Sequence, residues 1–101
     1  MRVVWSPRAI DRVLEIATYI AQDSPAAARE WVERLFGHVD AQLAAFPLSG
    51  KTARDVDTDD ARELAFESYR VFYDVGDTVE ILTVRHGREL IDPDELGSGP
   101  A

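Results

Sequence analysis

The residues best suited to chemistry lie together near the end of the chain, in the run Arg85, His86, Gly87 and Arg88. Arginine and histidine side chains carry charge or protons, and the glycine between them lets the backbone turn. The planar guanidinium of arginine binds carboxylate or phosphate through two parallel hydrogen bonds. We therefore expect the active or partner-binding edge of the protein at this cluster.

Two alternating apolar runs lead into the cluster and predict a β-hairpin. Every second residue of the first run is apolar or aromatic, and the same period of two resumes after a turn at 75–77. The cluster should therefore stand at the end of the second strand. The residues expected to share one face of the hairpin are Tyr69, Val71, Tyr73, Val75, Val79, Ile81 and Thr83.

Two proline-containing start signals predict two helices upstream of this hairpin. Ser6-Pro7 and Ser24-Pro25 each provide an N-cap followed by proline at the first helical position, and Pro47 should stop the second helix. So brief a connection makes the two helices antiparallel. Apolar residues recur at helical spacing in both segments, from Ile10 to Ala21 and from Ala28 to Phe46. We expect a single core that contains Leu14, Ala17, Leu35, Val39, Leu43, Val71, Ile81 and either Leu82 or Val84.

These elements give an α+β fold in the order β-α-α-β-β-β. A short first strand near 2–5 precedes the helical hairpin, which packs on a small antiparallel sheet. The loop that begins at Phe46 runs through the aspartate-rich segment, and strands resume near Arg62. A length of 101 residues fits one domain, which we place at 1–96, with a disordered Gly-Ser-Gly-Pro-Ala tail at 97–101.

Composition narrows the classes of function. The chain has no cysteine and two histidines, which excludes disulfides and cysteine-based zinc sites, and no cofactor-binding motif occurs. We expect no metal and no cofactor. Asp55, Asp57 and Asp59 alternate as in a calcium loop, but Asp60 and Phe66 occupy positions where glycine and glutamate are required. The short apolar start is too brief for a signal peptide or a membrane span, which predicts a cytoplasmic protein without a membrane partner.

The net charge of −8 is concentrated in two segments. Residues 55–60 and 89–95 hold eight acidic residues, which equals the excess of 19 acidic over 11 basic residues. Ten of the 11 cations are arginine. This distribution predicts that a protein partner carries arginine or lysine facing one of the two acidic segments.

Five segments resemble the RelE/ParE superfamily of toxins from bacterial type II toxin–antitoxin systems, and the ParE-like branch in particular. They span residues 3–89 in the order of that family: VVWSPRAIDRVLEIATYIA, AAAREWVERL, FPLSGK, ARELAFESYRVFYDV and EILTVRHGRE. The resemblance implies two helices on an antiparallel sheet. It also implies an antitoxin encoded alongside, which binds the toxin through residues such as Tyr19, Tyr73, Leu90 and Ile91. DNA contact is then expected only through the antitoxin.

The resemblance leaves two activities open. RelE-like members cleave mRNA on the ribosome, and for that chemistry Arg70, Arg85, His86 and Arg88 would be the catalytic set. ParE-like members interfere with DNA gyrase by binding, and then no catalytic residue is expected and 85–88 binds the target. The nuclease groups usually add lysines and a late tyrosine, whereas this chain has one lysine and no tyrosine after Tyr73. We therefore favour gyrase. An inactive relative that only binds antitoxin is a third reading.

Two site candidates also have purely structural readings. Arg70 could pair with an acid on a neighbouring strand such as Glu80, because residues opposite each other in a sheet interact directly. His86 could be a hydrogen-bonding residue at the end of a strand. Under these readings the cluster organises the sheet edge without performing chemistry.

Overall fold

Two helices cover one face of a five-stranded sheet in the computed structural model, which describes residues 1–53 and 61–87. The helical hairpin and the strand-rich second half confirm the expected α+β order. A two-residue strand precedes the three expected later strands. The elements are β1 (Val3–Trp5), α1 (Pro7–Ala21), α2 (Pro25–Ala45), β2 (Lys51–Thr52), β3 (Arg62–Phe66), β4 (Tyr69–Val75) and β5 (Val79–His86).

Both helices begin where the serine-proline signals predict. The Ser6 hydroxyl accepts a hydrogen bond from the Ala9 N–H, and the Ser24 hydroxyl accepts one from the Ala27 N–H, each at 3.1 Å. Each bond satisfies a backbone donor that the first helical turn leaves without an intrahelical partner. The second helix ends at Ala45, just before the Phe46-Pro47 pair.

The sheet has the strand order β1-β5-β4-β3-β2 and is mixed. β2, β3, β4 and β5 pair antiparallel, whereas β1 runs parallel to β5, with Val3 opposite Val79 and Trp5 opposite Ile81. The Ser6 N–H donates to the Ile81 carbonyl at 2.9 Å, which holds the start of α1 against the central strand. The expectation of a purely antiparallel sheet is thus corrected at β1.

A β-bulge interrupts the pairing of β4 with β5. Tyr73 stands opposite Ile81 and Phe72 stands opposite Thr83, so Leu82 is an extra residue in β5. The bulge keeps Ile81 and Val84 on the helix-facing side, in the main core, and puts Leu82 with Phe72 in a second cluster. Thr83 therefore lies away from the helices, contrary to the simple period of two, and Val84 is the residue that joins the main core.

The face of α1 that is buried is rotated by about one residue position from the face that the sequence predicted. Ala9, Val13 and Ile16 are buried, whereas Leu14 is 58% exposed and Ala17 is half-buried. Ala9, Val13 and Ile16 therefore form the face of α1 that packs in the main core, and Leu14 lies at the flank of the hairpin. The other expected core residues, Leu35, Val39, Leu43, Val71 and Ile81, are confirmed with no exposed area.

Neither helix in the described segments is long and apolar enough to cross a membrane. The expected tail at 97–101 and the aspartate run at 55–60 lie outside the described residues.

The burial pattern gives a direct test of the core. Leu35→Ala or Leu43→Ala should lower the free energy of unfolding by about 2 to 5 kcal/mol, because each substitution leaves a cavity that the neighbours fill only in part. Leu14→Ala is the matched control and should change the free energy by roughly 0.5 kcal/mol or less. Urea denaturation followed by circular dichroism measures all three variants. Equal effects at Leu14 and Leu35 would contradict the assigned helix face.

Candidate partner-binding site

His86 belongs to a row of three aromatic rings on the helix-facing side of the sheet. It stands opposite Tyr69 in the β4–β5 register, and the two ring centroids are 5.7 Å apart in an edge-on arrangement. Tyr69 in turn meets Trp31 of α2 edge-on at 5.2 Å. The row therefore joins the end of β5, the start of β4 and the second turn of α2.

Two depressions share Tyr69 and His86 as a common wall. The first, here called the Trp31 pocket, has a volume of about 400 Å³ and is also lined by Glu30, Trp31, Arg34 and Glu67. The second has a volume of about 570 Å³ and is lined by residues of α1 that include Arg12, Glu15 and Tyr19. The Tyr19 ring is 73% exposed, which suits its expected role in partner contact.

The expected cluster is divided between the two faces of the sheet. Arg85 stands opposite Arg70 in the register, and consecutive strand residues point to opposite faces, so both arginines lie on the face away from His86. Gly87 follows and donates its N–H to the Ser68 carbonyl at 2.7 Å. Arg88, Leu90 and Ile91 lie outside the described residues. The candidate catalytic set is therefore not assembled on one surface by the residues described.

Arg70 forms an ion pair inside the protein. Its Nε donates to Oε2 of Glu63 on β3, and its guanidinium lies 4.7 Å from the centre of the Phe72 ring. The side chains of Glu63 and Arg70 are only 5% and 15% exposed. The expectation of an acid on a neighbouring strand was thus right in kind, but the acid is Glu63 and not Glu80. This pairing neutralises the guanidinium that a nuclease would need for phosphate.

Tyr73 fixes the loop that follows α2. The ring has no exposed area, which corrects its expected role at an antitoxin-binding surface. The Gly50 N–H donates to the Tyr73 hydroxyl at 2.8 Å, and Arg62 donates to the Gly50 carbonyl at 2.8 Å. A Cβ at Gly50 would lie 2.7 Å from the Glu63 carbonyl oxygen, so only glycine fits here. Burial raises the pKa of Tyr73, against the lowering effects of the Gly50 bond and Arg62, which keeps the hydroxyl protonated at neutral pH.

An apolar groove between the two helices was not expected from the sequence. It has a volume of about 480 Å³, its floor is formed by Leu14, Ala17, Ala28 and Val32, and Glu33 stands at its edge. Leu14, which the sequence placed in the core, instead lines this groove.

Solved structures with this fold come from toxin–antitoxin systems. The fold matches a chain of the chromosomal ParDE system from P. aeruginosa with a TM-score of 0.71 and 21% identity, over 85% of this chain and 95% of that one. It matches a chain of the toxin–antitoxin complex RelBE2 from Mycobacterium tuberculosis with a TM-score of 0.58 and 26% identity, over 84% of this chain and 88% of that one. The chain therefore shares its fold with proteins of solved toxin–antitoxin systems.

The sequence identifies the family itself. Residues 3–91 match the model of the ParE toxin of type II toxin–antitoxin systems. The chain is also 41% identical over 90 residues to a Sinorhizobium fredii protein named "Putative toxin Y4kP". The aligned region covers 87% of this chain and 90% of that protein. The chain therefore belongs to the ParE toxin family.

The buried ion pair can be tested with a double-mutant cycle. Glu63→Leu or Arg70→Met alone should lower the free energy of unfolding by about 3 to 5 kcal/mol, because each leaves one charge buried without its partner. The double variant should recover most of the loss, because no isolated charge remains. Thermal and urea unfolding of the four proteins gives the coupling. Additive losses in the double variant would contradict a paired role for Arg70.

Proposed function

We propose that this ParE-family toxin arrests growth by binding DNA gyrase in the cytoplasm, and that an antitoxin encoded beside it neutralises it. The observation that carries the proposal is the division of the candidate catalytic residues, with His86 on one face of the sheet and Arg70 and Arg85 on the other. An acid–base histidine and the cations that stabilise a phosphate transition state must reach the same atoms. A binding surface has no such requirement.

The face around His86 suits a protein partner. Interfaces concentrate their binding energy in tyrosine, tryptophan and arginine side chains, and exposed Tyr19 stands beside the Tyr69–His86 wall.

The apolar groove between α1 and α2 supports a second partner. Its floor of small and branched side chains fits the apolar face of an amphipathic helix, which is a frequent form of recognition. We assign the groove to the antitoxin, in keeping with the toxin–antitoxin systems that share this fold.

Controlled expression separates the modes of action. We expect induction in a bacterial host to stop growth and to switch on the DNA-damage response, without codon-phased mRNA cleavage. Co-expression of the adjacent open reading frame should restore growth. A damage-response reporter and genome-wide mapping of mRNA ends provide the two readouts in one culture. Codon-phased cleavage without a damage response would replace gyrase with the ribosome as the target, and absence of both would indicate an inactive copy.

Substitutions at the end of β5 separate catalysis from binding. His86→Gln keeps the size and part of the hydrogen bonding, so a binder should retain toxicity, whereas an acid–base catalyst should lose about 10² to 10⁴ in rate. Arg85 lies on the other face of the same strand end, which we also expect gyrase to contact, so Arg85→Ala should weaken gyrase binding by about 1 to 3 kcal/mol, an amount typical of interface arginines. Toxicity and gyrase affinity are measured for both variants, with the urea unfolding transition as the folding control. Loss of toxicity with His86→Gln alone would argue for the nuclease.

A further inference from the structure

We propose that the Trp31 pocket receives an arginine side chain of the antitoxin. The proposal rests on the proposed antitoxin partnership and adds to it a recognition site distinct from the helical groove. The pocket has one aromatic wall and one acidic rim, and these two features recognise the same group. An arginine guanidinium is both planar and positively charged.

The aromatic wall suits a guanidinium by its shape and electrostatics. Trp31, Tyr69 and His86 follow one another at centroid distances of 5.2 and 5.7 Å, and all three line the pocket. Trp31 is buried, so the half-buried Tyr69 and His86 form the accessible part of this aromatic wall. The faces of tryptophan and tyrosine rings carry partial negative charge and attract cations, and arginine stacks on such rings more often than lysine does. The wall therefore favours arginine.

The rim gives the pocket an excess of negative charge. Among the residues that the structure describes, Glu30 and Glu67 line it, and Arg34 is the cation beside them. Arg34 Nε lies 3.1 Å from Glu67 Oε2, but both side chains are about half exposed, at 52% and 43%. Such a solvated pair is weak and can be shared. An incoming guanidinium can thus bind Glu30 and compete with Arg34 for Glu67.

One further observation points to a ligand at this place. The Trp31 side chain is 3% exposed, and its Nε1–H has no hydrogen-bond partner among the described residues. A backbone carbonyl of an inserted segment would accept from this donor.

The location of the pocket favours the antitoxin as the source of the arginine. The pocket and the helical groove lie on two sides of the start of α2, with Trp31 on one side and Ala28 and Val32 on the other. A segment that leaves the groove can therefore reach the pocket by crossing the first turns of α2. The net charge of −8 also favours a basic segment in the partner.

An NMR titration tests the pocket without any partner. N-acetyl-arginine amide is added to ¹⁵N-labelled toxin, and N-acetyl-citrulline amide serves as the neutral probe of the same shape. We expect arginine to shift the indole signal of Trp31 and to leave that of Trp5, which donates to Asp40 at 2.8 Å and lies outside the pocket. Citrulline should bind about tenfold more weakly, because a hydrogen bond to a charged group contributes about 1.5 to 3 kcal/mol. Equal shifts with citrulline, or shifts that spare Trp31, would overturn the proposal.

Two substitutions at the rim and one outside it test whether the charged side chains of the rim determine arginine affinity. Glu30→Gln should reduce arginine affinity about tenfold. Glu33→Gln, one helical turn later on the groove side, should leave it unchanged. Arg34→Gln should increase affinity, because it removes the competitor for Glu67. Unchanged affinity in Glu30→Gln, or a loss in Arg34→Gln, would contradict the assigned geometry.

Antitoxin affinity distinguishes the source of the arginine. Glu30→Gln should weaken antitoxin binding about tenfold, as in the titration, while Asp11→Asn, an exposed change on α1 outside the pocket, should not. Intact antitoxin affinity in Glu30→Gln would overturn the antitoxin assignment, even if the pocket still binds the free probe. Neither measurement involves gyrase. A result against the arginine pocket can therefore be distinguished from a result against gyrase as the target.

Discussion

The extra residue at Leu82 decides which side chains can act together in this protein. A strand that alternated regularly from Ile81 would turn Arg85 towards the helices and His86 away from them. Because Leu82 is inserted opposite Phe72, Val84 and His86 take the helix-facing side, and Arg85 joins Arg70 on the other face. The core and the site are therefore set by one local feature, since the same shift that buries Val84 also places His86 beside Tyr69 and Trp31.

Local signals in the sequence predicted local structure well. Ser6 and Ser24 determine the helix starts through hydrogen bonds within one turn, and the apolar spacing of α2 correctly gave Leu35, Val39 and Leu43. The failures all involve residues distant in the chain. The bulge, the parallel pairing of β1 and the choice of Glu63 over Glu80 depend on how strands meet, and the face of α1 depends on its fit to β5. A single sequence carries no direct record of these contacts.

The candidate site shows the same division between local features, which the sequence predicts, and contacts between elements, which it does not. Residue types marked the end of β5 as a candidate site, which stays a prediction, and alternation placed Arg85 and His86 on opposite faces; only the bulge at Leu82 determines that His86 is the one that faces the helices. The hydrogen bond between Tyr73 and Gly50 could not be predicted either, because a tyrosine in an alternating run has the pattern of any other strand residue. Its hydroxyl is used to hold the loop after α2, where Phe46 and Leu48 remain 64% and 62% exposed.

The charges of the folded protein favour protein partners over nucleic acid. Arg12 pairs with Glu15, Arg34 with Glu67 and Arg70 with Glu63, so three arginines are already matched by carboxylates of the same chain. Nucleic-acid binding draws its affinity from cations that neutralise phosphates and release counterions. A chain with a net charge of −8, three of whose ten arginines pair with its own carboxylates, is expected to gain little of that affinity. The net negative charge favours a basic segment in a partner, and the aromatic and apolar depressions beside the helices would then select among such segments.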